Sequence, residues 1–298
     1  MNNQEYCNYI SKLSIKALLY EVAVTPKPGL VDRNNSGAHK DMDFFTFLDS
    51  SLSLIYYFNK CTNAGISFSG DDYSNLLKDL RPIGIQAEFD MYCATYGVNT
   101  HKGLIFSIGI IAAAAGVHFN RLKSIYMASK EISEMVKFIA KDITLELMDI
   151  EDKENLTYGE KLYFKYGVKG IRGEVEEGFE TVLKYSLPVL KDLLNDGKHI
   201  NDVLVQVLLH LIANTEDSNI LGRHDQKTLN HAKEMATIAL AMGGYFNPQG
   251  KEYIEKMDKY FIENNISPGG SADLIAVTIM LYFIENGDRF QKNIIGDM

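Results

Sequence analysis

LIFSIGIIAAAAGVHF, residues 104–119, is the stretch that decides the fold, because it is the longest apolar run in the chain. A membrane-spanning helix needs about 20 predominantly apolar residues, and this run has 16, including the polar residues Ser107 and His118. An apolar run too short for a membrane is typical of a helix in the core of a globular protein. We therefore predict a buried helix here and no membrane span.

Helical periodicity extends to both sides of this run. Tyr9–Ala23 and Ser124–Ile139 carry apolar residues at helical spacing, and Asp202–Ala213 is strongly apolar. Phe44–Cys61 is apolar on most faces, which predicts one continuous core helix. Pro82 is expected to begin a new helix, because proline is favoured at the first helical position. No alternating strand pattern, internal repeat or Ser/Gly linker is visible, so we predict an all-α fold of about ten or more helices in a single domain, residues 1–298.

Composition narrows the functional class. The chain has 298 residues, 46% of them hydrophobic, and a formal net charge of −9. An acidic chain lacks the basic footprint of a general nucleic-acid binder, so no nucleic-acid partner is expected. Three scattered cysteines form neither a disulfide framework nor a zinc motif, and the first residues do not resemble a signal peptide. These features predict a cytoplasmic protein with free thiols.

The helical pattern is interrupted by TPKPGLVDRNNSGAHKDMDFF, Thr25–Phe45, which we call the opening loop. A turn-rich stretch of this length that mixes acidic, basic and amide side chains is typical of a functional loop. Its basic side chains are candidates for phosphate binding: Lys27, Arg33, His39 and Lys40. Its carboxylates Asp32 and Asp43 are candidates for Mg²⁺, which favours one or two carboxylates together with phosphate oxygens. Mutual pairing of these charges on the surface is the alternative.

Four further polar turns contain candidate site residues at helix ends. GVNTHKG (97–103) places His101 and Lys102 at a helix start, where free backbone amides favour an anion. GVKGIRG (167–173) contributes Arg172 and is followed by Glu174. Simple capping or dipole stabilisation explains several of these residues equally well. The other two turns, NTEDSN (214–219) and SPGGSAD (267–273), contribute Asp217 and Ser271.

Common catalytic and nucleotide motifs are missing from the sequence. It contains no GxxxxGK[ST] loop, no GxGxxG after a strand and no HExxH, CxxC or GxSxG pattern. Any nucleotide must therefore be bound by something other than the common α/β cradles. The residues alone indicate an all-α protein with a polar site suited to phosphate and Mg²⁺, and they leave the substrate open.

A resemblance goes further than the residues taken singly. PKPGLVDRNNSGAHKDMDF, RPIG with QAEFDM, GVNTHKGLIFSIGI, GIRGEVEEGF, NTEDSN and SPGGSADL occur in the order typical of triphosphoribosyl-dephospho-coenzyme A synthases. The resemblance spans roughly residues 21–284. It implies an all-α, Mg²⁺-dependent transferase that joins ATP to 3′-dephospho-coenzyme A and releases adenine. It further implies that the product is the precursor of the prosthetic group of citrate lyase or malonate decarboxylase, passed on to a holo-acyl-carrier-protein synthase.

The resemblance also implies roles for individual residues. Glu174 or Glu88 is expected to act as base, and His101 is expected in the catalytic centre. Asp32, Asp43 and Asp217 are expected near the metal, with Asp43 and Asp217 preferred. The expected phosphate ligands are Lys27, Arg33, His39, Lys40, Lys102, Arg172 and Ser271.

One departure and two alternatives accompany this reading. The family pattern leads us to expect two glycines after Arg223, where this chain has His224 and Asp225, which puts the backbone geometry of that turn in doubt.

The first alternative is another all-α, Mg²⁺-dependent nucleotide enzyme, such as an ADP-ribosyl hydrolase or a pyrophosphohydrolase. The second is a non-catalytic helical interaction protein. A homodimer fits any of the three, and the sequence does not choose between the citrate lyase and malonate decarboxylase pathways.

Overall fold

The computed structural model describes residues 1–148 and 156–290, and within these ranges it contains helices and no strand, which confirms the all-α prediction. Short 3₁₀ turns and one π turn connect some of the helices. The α-helices are α1 (Asn3–Ala23), α2 (Phe44–Ser53), α3 (Ile55–Ser67), α4 (Leu76–Ala94), α5 (Lys102–Leu122), α6 (Ser129–Ile139), α7 (Tyr158–Tyr166), α8 (Gly170–Glu176), α9 (Leu187–Asn195), α10 (Ile200–Asn214), α11 (Ser218–Arg223), α12 (Gln226–Ala241), α13 (Pro248–Glu263) and α14 (Gly269–Asn286).

Helix α5 is the central helix of the first half of the chain, as its apolar run predicts. By length and composition it could cross a membrane, but most of its apolar window is buried inside the protein. It packs most closely against α3, where two glycines let the backbones approach. A β-carbon on Gly116 would lie 2.2 Å from the Thr62 carbonyl oxygen, and one on Gly65 would lie 2.0 Å from the Ala113 carbonyl oxygen. Larger residues would force the two helices apart.

A second group of helices packs around α10. Helices α9 and α12 contact α10, and α14 contacts both α1 and α10, so that it joins the two groups. Buried apolar side chains form one cluster that reaches from Tyr6 to Phe290. The single-domain organisation stays a prediction. The starts of α5, α11 and α14 carry three of the polar turns singled out in the sequence.

The prediction of one core helix over Phe44–Cys61 is wrong in two respects. Leu54 breaks it, with φ −94° and ψ 1°, into α2 and α3. Several of its large apolar side chains are also on the surface, including Phe45 at 69% and Tyr56 at 79% exposure. Apolar residues distributed around a helix do not show which face the tertiary structure covers, and here one side of α2 and the first turn of α3 stay open.

The prediction that Pro82 begins a helix is also wrong. Pro82 lies inside α4, which continues through it from Leu76 to Ala94. A proline inside a helix removes one hydrogen bond, here the one to the carbonyl group of Lys78. Both residues are exposed, so water can reach that carbonyl group. Packing of the buried residues Leu77, Leu80 and Ala87 keeps the helix continuous.

Candidate active site

Asp217 joins the start of α11 to the start of α14. Its Oδ1 accepts hydrogen bonds from the Asn219 and Ile220 amides, at 3.0 and 3.3 Å, and from the Gly270 amide at 3.2 Å. Its Oδ2 accepts hydrogen bonds from the Ser271 amide at 2.7 Å and from Ser271 Oγ at 2.9 Å. Burial raises the pKa of Asp217, and these donors oppose the shift. Two polar turns predicted to contribute to one site therefore meet on a single carboxylate.

The opening loop reaches the same junction through His39. His39 Nε2 lies 2.9 Å from Ser267 Oγ, just before α14. The Arg223 guanidinium, at the end of α11, donates to the Ala38 carbonyl group at 3.4 Å and lies 3.2 Å from His39 Nδ1. Burial, and next the charge of Arg223, lowers the pKa of His39 to about 4, so its imidazole is neutral at physiological pH. Arg223 therefore supplies the positive charge at this place.

The turn after Arg223 forms without the expected glycines. His224 has φ −136° and ψ −123°, a pair outside the β and right-handed α regions, and its Nε2 lies 2.9 Å from the Asn265 carbonyl oxygen. Asp225 caps α12 by accepting a hydrogen bond from the Thr228 amide at 2.8 Å. Neither position has the positive φ that favours glycine, so the chain forms this turn without a residue in the left-handed conformation.

A buried ion pair closes the inner side of the opening loop. Lys27 Nζ lies 2.5 Å from Glu21 Oε1, and the two side chains are only 1% and 3% exposed. Burial raises the pKa of Glu21, and the charge of Lys27 opposes the shift. The Lys27 amide also donates to Asp32 Oδ2 at 3.1 Å. Lys27 is therefore engaged with a carboxylate of α1, an interaction that its sequence position did not indicate.

Asp32 shapes the opening loop. Its Oδ1 accepts from the Asn34 amide at 2.7 Å and from the Asn35 amide at 2.9 Å, in addition to the Lys27 amide on Oδ2. A buried aspartate whose two oxygens both accept backbone hydrogen bonds holds a turn in place. Its predicted role as a metal ligand would require these bonds to be exchanged for the ion.

Asp273, on the second turn of α14, is a site residue that the sequence analysis missed. Its carboxylate accepts no hydrogen bond from any residue in the described ranges. A β-carbon on Gly103, at the start of α5, would lie 2.0 Å from Asp273 Oδ2. Burial, and next the charges of Glu21 and Asp217, raises the pKa of Asp273 well above its usual range. The only signal in the sequence is a carboxylate that follows a glycine-rich turn and precedes an otherwise apolar helix.

His101 precedes α5 and is almost fully buried, at 1% exposure. Its Nδ1 lies 2.6 Å from Ser50 Oγ, which in turn accepts a hydrogen bond from Thr100 Oγ1 at 2.6 Å. Within the described ranges His101 Nε2 has no partner. Burial, and next the charge of Lys27, lowers the pKa of His101 to about 3. At neutral pH this imidazole can donate or accept a hydrogen bond, but it carries no charge.

Three predicted site residues lie apart from these contacts. Arg33 is exposed and donates to Asn201 Oδ1, at the start of α10, at 3.1 Å. Lys102 Nζ lies 2.8 Å from Glu88 Oε2, and this ion pair joins α4 and α5 with side chains 53% and 32% exposed. Their placement neither removes nor supports a contact with substrate, so these roles stay predictions.

Helix α8 lies beside the start of α11. A β-carbon on Gly170 would lie 3.6 Å from Ser218 Oγ. Arg172 Nη1 and Glu174 Oε2 are both buried without a partner among the described residues. Glu174 Oε1 accepts a hydrogen bond from Thr181 Oγ1 at 2.7 Å, and burial raises the pKa of Glu174. Both groups therefore have unused hydrogen-bonding capacity, as the predicted roles of phosphate ligand and base require.

A surface pocket lies where the opening loop runs into α2. Asp43 caps α2 through Oδ1, which accepts hydrogen bonds from the Thr46 amide at 2.9 Å and from Thr46 Oγ1 at 2.8 Å. Its second oxygen is not used in these bonds. Within the described ranges no group of three or more His, Cys, Asp or Glu side chains is arranged to hold a metal ion. The residues that line the pocket include Ser36, His39, Lys40, Asp41, Asp43 and Thr46.

Comparison with known families shows which family the chain belongs to. Residues 7–292 match the model of the CitG family, described as ATP:dephospho-CoA triphosphoribosyl transferase. The chain belongs to this family. It is therefore a transferase that moves the triphosphoribosyl group of ATP to dephospho-coenzyme A, and the function that the resemblance implied is confirmed.

Curated relatives agree with the family assignment. A probable 2-(5''-triphosphoribosyl)-3'-dephosphocoenzyme-A synthase of Lactiplantibacillus plantarum is 39% identical, over 90% of this chain and 94% of its own length. A protein of the same name from Streptococcus mutans is 36% identical, over 96% of this chain and 99% of its own length. Protein CitXG of Leuconostoc mesenteroides is 37% identical over 90% of this chain, which covers 57% of that protein. No solved structure matches this transferase.

Proposed function

We propose that this transferase joins the ribose 2′-hydroxyl of 3′-dephospho-coenzyme A to ribose C1′ of ATP, with loss of adenine and retention of the triphosphate. The observation that carries the proposal is the junction at Asp217 and Ser267, where the opening loop meets the starts of α11 and α14. The family's reaction needs cations for a triphosphate and carboxylates for a glycosyl centre, and both kinds of group lie at this junction. Charge develops on the ribose during such a transfer, as in other glycosyl transfers.

The triphosphate is proposed to bind along the opening loop. His39 is held between Ser267 and Arg223, and Lys40 follows it on the exposed side. Neither Lys40 nor Arg223 forms an ion pair with a carboxylate of the described residues, so their charges are available to phosphate. Ser271 Oγ already donates a hydrogen bond to Asp217 Oδ2, which supports the start of α14. Arg223 joins the predicted phosphate ligands Lys27, Arg33, His39, Lys40, Lys102, Arg172 and Ser271.

Mg²⁺ is proposed to be held mainly by the triphosphate, with Asp43 as the protein carboxylate. Of the three predicted metal ligands, Asp32 and Asp217 accept hydrogen bonds on both oxygens, while Asp43 keeps one oxygen free of the Thr46 bonds. One carboxylate with substrate phosphates is an ordinary Mg²⁺ environment, which fits the lack of a three-ligand protein cluster among the described residues. The ion would neutralise triphosphate charge when bound.

His101 is proposed to act as a neutral hydrogen-bond donor in the catalytic centre. If Thr100 donates to Ser50 and Ser50 donates to His101 Nδ1, the imidazole proton lies on Nε2. A pKa of about 3 makes an imidazolium scarce at neutral pH. His101 would therefore stabilise developing charge, for example on departing adenine, without being the source of a proton.

The pathway and the partners are further parts of the proposal. We place the product upstream of the citrate lyase prosthetic group, with a holo-acyl-carrier-protein synthase as the next enzyme; the name CitXG of the Leuconostoc relative supports the link to citrate lyase. Malonate decarboxylase is the competing pathway. A cytoplasmic location and a homodimer are also proposed.

One incubation tests the function. The protein is mixed with ATP, Mg²⁺ and 3′-dephospho-coenzyme A, and free adenine is measured by chromatography, with each substrate omitted in turn. Adenine that appears only when both substrates are present supports the transfer. Release of phosphate or of ribose-containing fragments would instead support a nucleotide hydrolase, and the absence of any product would contradict the proposal.

A further inference from the structure

The carboxylates around the opening loop differ in how their oxygens are used. Glu21 is paired with Lys27, and Asp32 and Asp217 accept backbone hydrogen bonds on both oxygens. Asp273 alone of these four has no donor among the described residues. A carboxylate largely surrounded by protein is costly to leave without a hydrogen-bond partner. Its unused acceptors are therefore capacity for a ligand.

The Asp273 carboxylate lies against a glycine at the start of a second helix. Gly103 faces it from the start of α5, and any side chain at that position would collide with Asp273 Oδ2. Asp273 as a residue is only partly buried. Helices α5 and α14, of 21 and 18 residues, both begin here, and helix starts carry partial positive charge. His101, whose buried Nε2 also lacks a partner, immediately precedes α5.

We propose that Asp273 is the catalytic residue that accepts the proton of the attacking 2′-hydroxyl. This inference rests on the proposed function. In the step, the 2′-oxygen forms a bond to C1′ of ATP while the bond between C1′ and adenine N9 breaks with its electron pair. The hydroxyl proton passes to the Asp273 carboxylate, and the departing adenine takes up one proton from water.

The assignment favours Asp273 over the two bases that the resemblance suggested. Glu88 is held by the Lys102 ammonium, which lies 2.8 Å from its Oε2, so that oxygen is already engaged. Glu174 has one unused oxygen, but it lies on α8, and its other oxygen is held by Thr181. Only Asp273 is both free of donors and set among Glu21, Asp217 and the start of α5.

Its environment also tunes Asp273 for proton transfer. Burial and two neighbouring carboxylates raise its pKa well above the usual range. A raised pKa makes the ionised carboxylate a stronger acceptor of a proton.

The test compares Asp273→Asn with Glu174→Gln and with a matched control, Asp202→Asn, at a partly buried aspartate on the first turn of α10. Adenine release gives kcat and KM for both substrates, and activity is titrated with Mg²⁺. For Asp273→Asn we expect kcat to fall about 100-fold to 10,000-fold, the range typical of a general base. KM for ATP and the Mg²⁺ concentration for half-maximal activity (the Mg²⁺ midpoint) should stay within about twofold of the values for the unmodified protein. Asp202→Asn should match the unmodified protein in all of these quantities.

Three outcomes overturn the proposal and leave the proposed function intact. A kcat for Asp273→Asn within about tenfold of the unmodified protein removes Asp273 from the step, and a much larger loss in Glu174→Gln moves the role to Glu174. A Mg²⁺ midpoint raised tenfold or more makes Asp273 a metal ligand. If the unmodified protein itself releases no adenine, the proposed function fails first.

A second variant separates chemistry from folding. Asp273→Ala removes the carboxylate and creates space beside Gly103, where added formate can replace it. A rise in adenine release with formate, absent in Glu174→Ala and in the unmodified protein, is the expected result. Circular dichroism melting checks that each variant is folded. A folded Asp273→Ala variant that formate does not rescue, and that keeps its activity, contradicts the assignment.

Discussion

The two sides of the site differ in how their charges are partnered. On the inner side, Glu21, Lys27 and Asp217 are buried and their charges are met by ion pairing or by backbone donors. On the outer side, Lys40 is exposed, and Arg223 bonds only to neutral groups, His39 among them. Among the described residues, the inner side is complete without substrate except at Asp273 and at His101 Nε2, whereas the outer side keeps its positive charge for an anion. We therefore expect inner changes to affect folding and turnover, and outer changes to affect ATP binding.

Breaking the inner ion pair should have the largest effect. Lys27→Met leaves Glu21 as a buried charge without its partner, which we expect to lower the free energy of unfolding by about 3–5 kcal/mol. Lys102→Met is the matched control, because its pair with Glu88 is largely exposed and worth at most about 1 kcal/mol. Urea unfolding of the two variants and of the unmodified protein measures the two losses of unfolding free energy. Equal losses in the two variants would contradict the contrast between buried and exposed pairs.

The inner side should also make stability depend on pH. The pKa of His101 is about 3 in the folded protein and about 6.5 when unfolded, so the unfolded chain binds the proton first. The contribution of neutral His101 to the free energy of unfolding is fully present above pH 6.5 and is lost as the pH falls toward 3. Between pH 7 and pH 5 the loss from His101 is about 2 kcal/mol.

Urea unfolding of His101→Gln at both pH values measures that loss. The variant should lose about 2 kcal/mol less than the unmodified protein between pH 7 and pH 5. His231→Gln, at a histidine that is 47% exposed, is the control and should keep the original pH dependence. An unchanged dependence in His101→Gln would show that another group is responsible.

On the outer side, the change should appear in substrate binding. Arg223→Ala removes a charged donor to phosphate, and hydrogen bonds to charged groups contribute about 1.5–3 kcal/mol, which corresponds to a KM for ATP raised at least about tenfold. We expect kcat to change less than about threefold. Arg81→Ala, at an exposed arginine paired with Glu146, is the control and should leave KM unchanged. A loss in kcat alone would place Arg223 with the chemistry.

The smallest effect is expected at Asp43. Asp43→Asn keeps the cap on α2 through its amide oxygen but weakens Mg²⁺ attraction, so the Mg²⁺ concentration for half-maximal adenine release should rise about threefold. Asp49→Asn, an exposed change on α2, should leave it unchanged. Should Asp43→Asn lower stability without changing the Mg²⁺ midpoint, its role is restricted to capping.

The same contrast explains what the sequence could predict. The opening loop and the turns before α5, α11 and α14 stand out because polar and glycine-rich segments are conspicuous in an apolar helical chain. Glu21 and Asp273 were missed since each is a single carboxylate within a helix, and only the tertiary contacts with Lys27 and Gly103 reveal it. Arg223 was noticed only beside an unexpected His224, and its bond to Ala38 joins residues far apart in sequence.

Errors at Leu54 and Pro82 have a related cause. Local patterns predicted a continuous helix through Leu54 and a helix boundary at Pro82. Packing between helices instead allows a break at Leu54 and a continuous helix through Pro82. Propensity is a weak guide wherever tertiary contacts supply most of the stabilisation of a helix. The helices themselves were predictable; their breaks and their exposed faces were not.

Asp217 has a consequence for the order in which the molecule assembles. Its bonds to Gly270 and Ser271 join segments more than 50 residues apart, and the second segment opens the last helix of the described chain. Contacts between distant segments form late, since a long loop must close before they are gained. A growing polypeptide can therefore complete most of its helical scaffold while catalysis is still impossible. If Asp273 on α14 is the base, activity requires α14 to be docked, and the recovery of activity during refolding would report that docking.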